Sequence, residues 1–321
     1  MGWKGTVRSV SAAMRAAERD AERRRKTEHK AQEADAAWDA VRAWKAHLRN
    51  IVNVHANRAD DIDWMSLRNR AEPLAPQKSV EQELAAQAAL SDFMPRFWDF
   101  LSGGSDKRRE SLENQLVEAR LKDSRSYAVE EDEFQRKLTE FQSDRDLASR
   151  VLDGDATAYR DVLTELYSGA EDLLGKTVTF HIEDSKIHVI GHVGDAEAIV
   201  PRFRRKQLAS GKLSETKMPK GEFNELYQDY VCSVALRLAG DIFGVLPVND
   251  CHVTACTTML DSSTGHLSKT PILSVFFVRP TYEGLNLANL DPSDSMANFV
   301  HTMAFKKTRG FQSIKPLRKM D

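Results

Sequence analysis

Thr177–Val193 reads TVTFHIEDSKIHVIGHV, and this stretch decides the fold. Val178, Phe180, Ile182, Ile187 and Val189 alternate with polar residues, the period of a half-buried strand. Asp184 and Ser185 are turn residues at its centre. The stretch therefore predicts a hairpin of Thr177–Glu183 and Lys186–Val193 in which paired residue numbers sum to 369, so that His181 faces His188. The apolar side chains share one face, leaving Thr177, Thr179, His181, His188 and His192 on the other.

Upstream the period is helical. Gly is absent from Thr6 to Ser102 and from Ser105 to Asp153, where Ala, Glu, Arg, Lys, Gln and Leu dominate. A first helix is expected from about Arg8 to about Asn57, on the order of 75 Å long. Trp38, Val41, Trp44, Leu48, Ile51, Val52 and His55 form an apolar stripe on its second half, while Arg15–Glu33 alternates charges as a solvated helix does. A second helix opens with a capping-box pattern at Ser79–Gln82 and closes in an aromatic group, Phe93, Phe97, Trp98, Phe100 and Leu101. A third runs on to Leu152 through a charged middle, Lys122–Glu133, that is expected to bend or fray; Asp153–Asp155 then cap a short helix carrying Tyr159, Val162, Leu163 and Leu166.

Downstream of the hairpin the pattern predicts a short strand near Ile199, a helix from about Gly221 to Val245, and strands His252–Met259 and Pro271–Val278. Asp291 as N-cap and Pro292 at the first helical position predict a last helix reaching about Lys307, with Gly310 beyond it. The order ββαββα gives an α+β fold: a long-helix bundle or coiled-coil arm over residues 1–172, then a domain with a largely antiparallel sheet over residues 173–321.

Composition narrows the function classes. The 321 residues carry 46 Lys+Arg against 48 Asp+Glu; beyond residue 172 there are 18 basic and 15 acidic residues, far from the balance of a dedicated nucleic-acid domain. No run approaches the roughly 18 apolar residues of a membrane span, and Met1–Gly5 lacks the apolar core of a signal peptide. Cys232, Cys251 and Cys256 are odd in number and form no CxxC pair, which argues against a disulfide framework or cysteine zinc site and for a reducing cytoplasm.

GWKGTVRS (Gly2–Ser9), NELYQDYVCSVALRLA (Asn224–Ala239) and LDPSDSMANFVHTMAFKKTRGF (Leu290–Phe311) resemble an uncharacterised family of bacterial proteins with a long helical N-terminal region and a C-terminal α+β domain. The resemblance covers most of the chain and implies a full-length bacterial accessory protein. It carries over no activity, cofactor or functional residue.

Several clusters could carry chemistry. Imidazoles paired across a hairpin sit about 5 Å apart at Cβ, so His181, His188 and His192 are candidate ligands for a divalent metal; the plainer reading is a polar outer sheet face, with no cofactor. Asp184-Ser185-Lys186 matches the short D-x-K fragment of metal-dependent nucleases, but is ordinary turn chemistry. His252-Val-Thr254 and His266-Leu-Ser268 resemble paired phosphoesterase motifs at too short a spacing, and His55 with Asp60, Asp61 and Asp63 imitates a metal cluster where helix capping suffices. Arg202, Arg204, Arg205 and Lys206 flank Phe203, and Lys306, Lys307 and Arg309 make the C-terminus basic, a surface suited to phosphate. With no complete catalytic constellation, the reading is a cytoplasmic, non-enzymatic scaffold or adaptor that forms a homo-oligomer, a dimer above all, through its arm and recognises a protein partner through the α+β domain. The alternative is a nucleic-acid-binding protein with metal-dependent nuclease or phosphoesterase activity.

Overall fold

The computed structural model describes residues 3–94, 104–168, 177–183, 186–260 and 264–318, with side chains from residue 18 onward. The chain runs α1 (Trp3–Val52), α2 (Trp64–Asn69), α3 (Glu81–Ser91), α4 (Gly104–Leu152), α5 (Ala156–Tyr167), β1 (Thr177–Glu183), β2 (Lys186–His192), α6 (Ala196–Ile199), β3 (Phe203–Gln207), β4 (Leu213–Lys217), α7 (Lys220–Val245), β5 (Asp250–Leu260), β6 (Leu267–Val278), α8 (Arg279–Glu283), α9 (Pro292–Ser295), β7 (Val300–Met303), β8 (Phe305–Lys306) and β9 (Gly310–Phe311). Single 3-10 turns lie at Val54–Asn57 and Met296–Asn298. The fold is α+β, and it divides into two compact units: residues 1–62 with 154–321, and residues 63–153.

The first unit is built on a sheet of order β1-β2-β5-β6-β7, antiparallel except where β2 and β5 run parallel. The β1–β2 register pairs Thr177 with His192 and His181 with His188, as the alternation predicts. Asp184 and Ser185 lie outside the described residues. Ile182, Ile187 and Val189 are buried on the core face, where α7 packs. From Tyr230 to Val245 only Arg237 of α7 escapes full burial, the state of a helix covered on all sides. On the sheet side Leu238 enters the space left by Gly191, whose Cβ would lie 2.7 Å from the leucine Cδ1. On the other side the chain after α1 is tied down: Ala59 N–H donates to Asp241 at 2.7 Å and Ile62 N–H to the Gly244 carbonyl at 2.9 Å.

The first long helix therefore belongs with the sheet rather than with the other long helix. Its Ala34 carbonyl accepts from Gln207 Nε2 at 2.7 Å, Ala37 is buried, and His47 Nε2 donates to the Ile199 carbonyl at 2.9 Å. From Val41 onward the apolar stripe packs on the β3–β4 hairpin and α7, whereas Trp38 at its start stays exposed. Gly211, in the left-handed region at φ 85°, lets that hairpin turn against Ala34. The hairpin itself has no counterpart in the sequence pattern, where Arg202–Lys206 is notable for its charge and its one aromatic residue.

Two further expectations are corrected. Asp291 caps a helix with Pro292 at its first position, but the helix stops at Ser295 and the chain turns into β7 on the edge of β6. Phe299, Val300 and Thr302 suit a strand, Phe299 docks on Phe277 with ring centroids 4.6 Å apart, and β7 satisfies the free backbone groups of the β6 edge. Around Ile199 there is one helical turn, α6, in place of a strand.

In the second unit α2 and α3 pack on α4, which runs unbroken through Lys122–Glu133. Ion pairs one turn apart, such as Arg136 with Asp132 at 3.0 Å, support it where a bend was expected. Glu83 N–H donates to the buried Asp123 at 2.9 Å, and Arg70 bonds Asp144 at 3.1 Å. Phe97, Trp98, Phe100 and Leu101 lie outside the described residues.

Candidate functional site

On the outer face of the sheet, the parallel register sets His188 of β2 beside His252 of β5. Their rings stack with centroids 4.1 Å apart and planes 11° from parallel. His188 Nε2 meets Thr254 Oγ1 at 3.0 Å, His252 Nε2 meets Ser274 Oγ at 2.7 Å, and the two hydroxyls meet at 3.3 Å. Ser274 also accepts the Leu317 N–H at 3.1 Å. The loop of contacts joins β2, β5, β6 and the C-terminal segment. Ser274 is fully buried, so its hydroxyl is a tie between strands and not an accessible nucleophile. Burial holds His252 below the ordinary histidine pKa.

The three histidines of the β1–β2 hairpin share a face but turn to different partners. His181 is exposed with its ring 6.3 Å from that of His188, His188 is engaged by Thr254 and His252, and His192 Nε2 lies 3.3 Å from Thr258 Oγ1. Among the described residues no group of three or more His, Cys, Asp or Glu side chains is gathered to hold a metal ion. The sequence reading found the His181–His188 pair because the period is local. It missed His252 as a neighbour because a parallel strand more than sixty residues away leaves no local signal.

The other clusters resolve into structural roles. His55 is fully buried: Nε2 donates to the Leu287 carbonyl at 2.9 Å, and Ser233 Oγ lies 2.8 Å from Nδ1. Asp63 caps α2 by accepting from Ser66, and Asp61 pairs with Arg58. His266 sits in the exposed segment before β6, away from the His252 network. Cys232 and Cys251 are buried, and burial pushes both thiols well up, which makes them packing groups rather than nucleophiles.

The basic tracts do converge. Arg204 from β3 pairs with Glu222, and Lys307 pairs with Glu225 at 2.5 Å, so residues a hundred positions apart meet on the first turns of α7. Asn224 fastens the second tract by donating to the Lys307 carbonyl at 2.7 Å. Arg202 pairs with Glu197 and Arg205 with Glu215 at 2.8 Å. Carboxylates thus answer four of the seven cations, while Lys206, Lys306 and Arg309 are exposed at the rim.

No family model, curated protein or solved structure matches the chain. Its role has to be read from its surfaces. Among the described residues no helix is long and apolar enough to cross a membrane. The surface that stands out is α1 from Glu18 to Glu33, where every residue is exposed although the helix is unbroken. Lys26 bonds Glu22 at 2.6 Å and His29 lies 3.5 Å from Glu33, contacts internal to the helix.

Proposed function

We propose that the protein is a bacterial cytoplasmic scaffold or adaptor which dimerises through the Glu18–Glu33 part of α1 and presents its sheet unit to a protein partner. The observation that carries this reading is the length of helix that buries nothing. Isolated helices are marginal in water, and a helix of this length in a globular protein ordinarily owes its stability to packing. The exposed part carries both signs, from Glu18-Arg19-Asp20 through Arg23-Arg24-Arg25-Lys26 to Glu28 and Glu33, so a second copy laid against it in the opposite direction and centred on Glu22 and Arg23 sets Glu22 against Arg23 and Asp20 against Arg25. Sedimentation equilibrium of the full chain tests this. A dimer at moderate salt that becomes monomeric in Arg23→Glu/Arg24→Glu/Arg25→Glu is expected; a wild-type monomer at all concentrations overturns it.

A second reading, contact with nucleic acid, is favoured by the meeting of the two basic tracts at the start of α7. Its anchors would be the exposed cations at the rim, Lys206, Lys306 and Arg309. Lys306→Glu/Arg309→Glu should weaken binding of a short single strand several-fold and flatten its salt dependence; unchanged binding sinks this reading.

A further inference from the structure

A cleft of about 420 Å³ lies between α1 and the β3–β4 hairpin, a size within the range of small-molecule sites. Trp44 and His47 line it from α1, with Arg202, Phe203, Arg205 and Glu215 opposite. Three features of the lining point to one ligand chemistry. Trp44 is half-buried in one wall and brings a broad aromatic ring to the lining. Phe203 is 50% exposed although it starts a strand, so a second aromatic ring of the lining is open to a ligand. Arg202 and Arg205 are held by single carboxylates at partly exposed positions, where ion pairs contribute little and can be exchanged for a phosphate.

We infer that this cleft binds a nucleotide, with the base against Trp44 and Phe203 and the phosphate on Arg202 and Arg205. The flat ring uses the two aromatic side chains, and Glu215 can accept from an exocyclic amine. The ligand is either a free mononucleotide or one nucleotide of a single strand, which present the same chemistry to the cleft. The inference is independent of dimerisation through α1 and does not require the basic rim at Lys306 and Arg309.

Calorimetric titration of the full chain with the four ribonucleoside 5′-monophosphates, and separately with a short single-stranded oligonucleotide, tests it in wild type, Phe203→Ala, Trp44→Phe and Lys306→Glu/Arg309→Glu, each checked for an unchanged melting temperature. Saturable binding that falls about tenfold or more in Phe203→Ala, and less in Trp44→Phe, is expected. Mononucleotide binding identifies a free nucleotide as the ligand; binding of the oligonucleotide alone, still lost in Phe203→Ala, identifies a strand. No saturable binding of either probe overturns the inference, as does binding that Phe203→Ala leaves intact. Oligonucleotide binding lost only in Lys306→Glu/Arg309→Glu would keep the nucleic-acid reading and remove the cleft, whereas mononucleotide binding with no oligonucleotide binding in the wild type would keep the cleft and remove the nucleic-acid reading.

Discussion

The two helices that define the first unit, α1 with 50 residues and α7 with 26, are stabilised in opposite ways. In α7 a nearly continuous run is buried between the sheet and the chain that follows α1, and small residues set the approach distances. A Cβ at Gly244 would lie 3.1 Å from the Ala59 carbonyl, and one at Gly240 would collide with the Tyr282 hydroxyl, itself a donor to the Leu236 carbonyl at 3.1 Å. In α1 between Glu18 and Glu33 no residue is buried, and bonds one turn apart, such as Lys26 with Glu22 and the Thr27 hydroxyl with the Arg23 carbonyl, support the helix. Burial makes α7 dependent on shape, whereas exposure makes that part of α1 dependent on charge and helix propensity.

The largest effects should therefore fall on α7. Ile242 is fully buried, and Ile242→Ala should cost about 2–5 kcal/mol of unfolding free energy, read by urea denaturation. Gly240→Val should match or exceed it, since neither the ring of Tyr282 nor the helix can yield without losing the Leu236 bond. Ala31→Pro in α1 should leave the urea midpoint of the sheet unit in place while lowering helical ellipticity and abolishing the dimer. An equal loss of midpoint in both variants would erase the distinction between the helices.

Between these extremes lies the Ala34–Ala37 turn of α1, where the solvated helix meets the hairpin. Ala37 is 3% exposed and Ala34 touches the turn at Gly211. Ala37→Leu should overpack this contact and cost about 1–3 kcal/mol, and Gly211→Val should do the same through the positive φ. Effects near zero at both positions would extend the exposed regime of α1 past residue 37.

How far the sequence revealed this contrast depends on where each signal lives. The span of α7, the solvated half of α1 and the β1–β2 register are local patterns of period 3.6 or 2, and each is found where the pattern puts it. The partners of the α1 stripe were invisible because any apolar surface could cover it, and a hairpin shares that role with the helix α7. Asp291-Pro292 marks a true helix start, yet a cap does not fix the length of the helix it opens, and the open edge of β6 captured Val300–Met303. The stacked His188–His252 pair needed the parallel alignment of β2 with β5, a tertiary fact. The cleft at Trp44 was equally hidden, since its two walls are more than 150 residues apart.

Titration should divide the molecule along the same line with smaller amplitude. His252 has its folded-state pKa lowered by burial, so its contribution to stability is present above its unfolded pKa near 6.5 and is lost as pH falls below that value. Asp229 on α7 behaves in the opposite sense. Burial pushes it up to about 6, helped by the charges of Asp291, Glu225 and Asp294 and opposed by a hydrogen bond with Ser293. Its contribution is therefore present below the unfolded value near 3.8 and is lost as pH rises to about 6. Asp229→Asn should raise the melting temperature at pH 7 by a few degrees and change nothing near pH 3.5, while His252→Asn should flatten the decline of melting temperature below pH 6.5. Parallel profiles for wild type and both variants would show that neither group is shifted.

The smallest effect belongs to the exposed part of α1. Glu22 lies 2.6 Å from Lys26, and that bond holds its carboxyl below the usual range while both side chains stay in water. Such a pair is screened by salt and acts only on the helix that contains it. Glu22→Gln should therefore reduce far-ultraviolet ellipticity slightly at low salt, show no difference from wild type at high salt, and leave the melting temperature of the sheet unit unmoved. A melting temperature that fell with Glu22→Gln would mean that this turn of α1 shares in the cooperative unfolding of the core, and the helix would then have to be counted with α7 rather than against it.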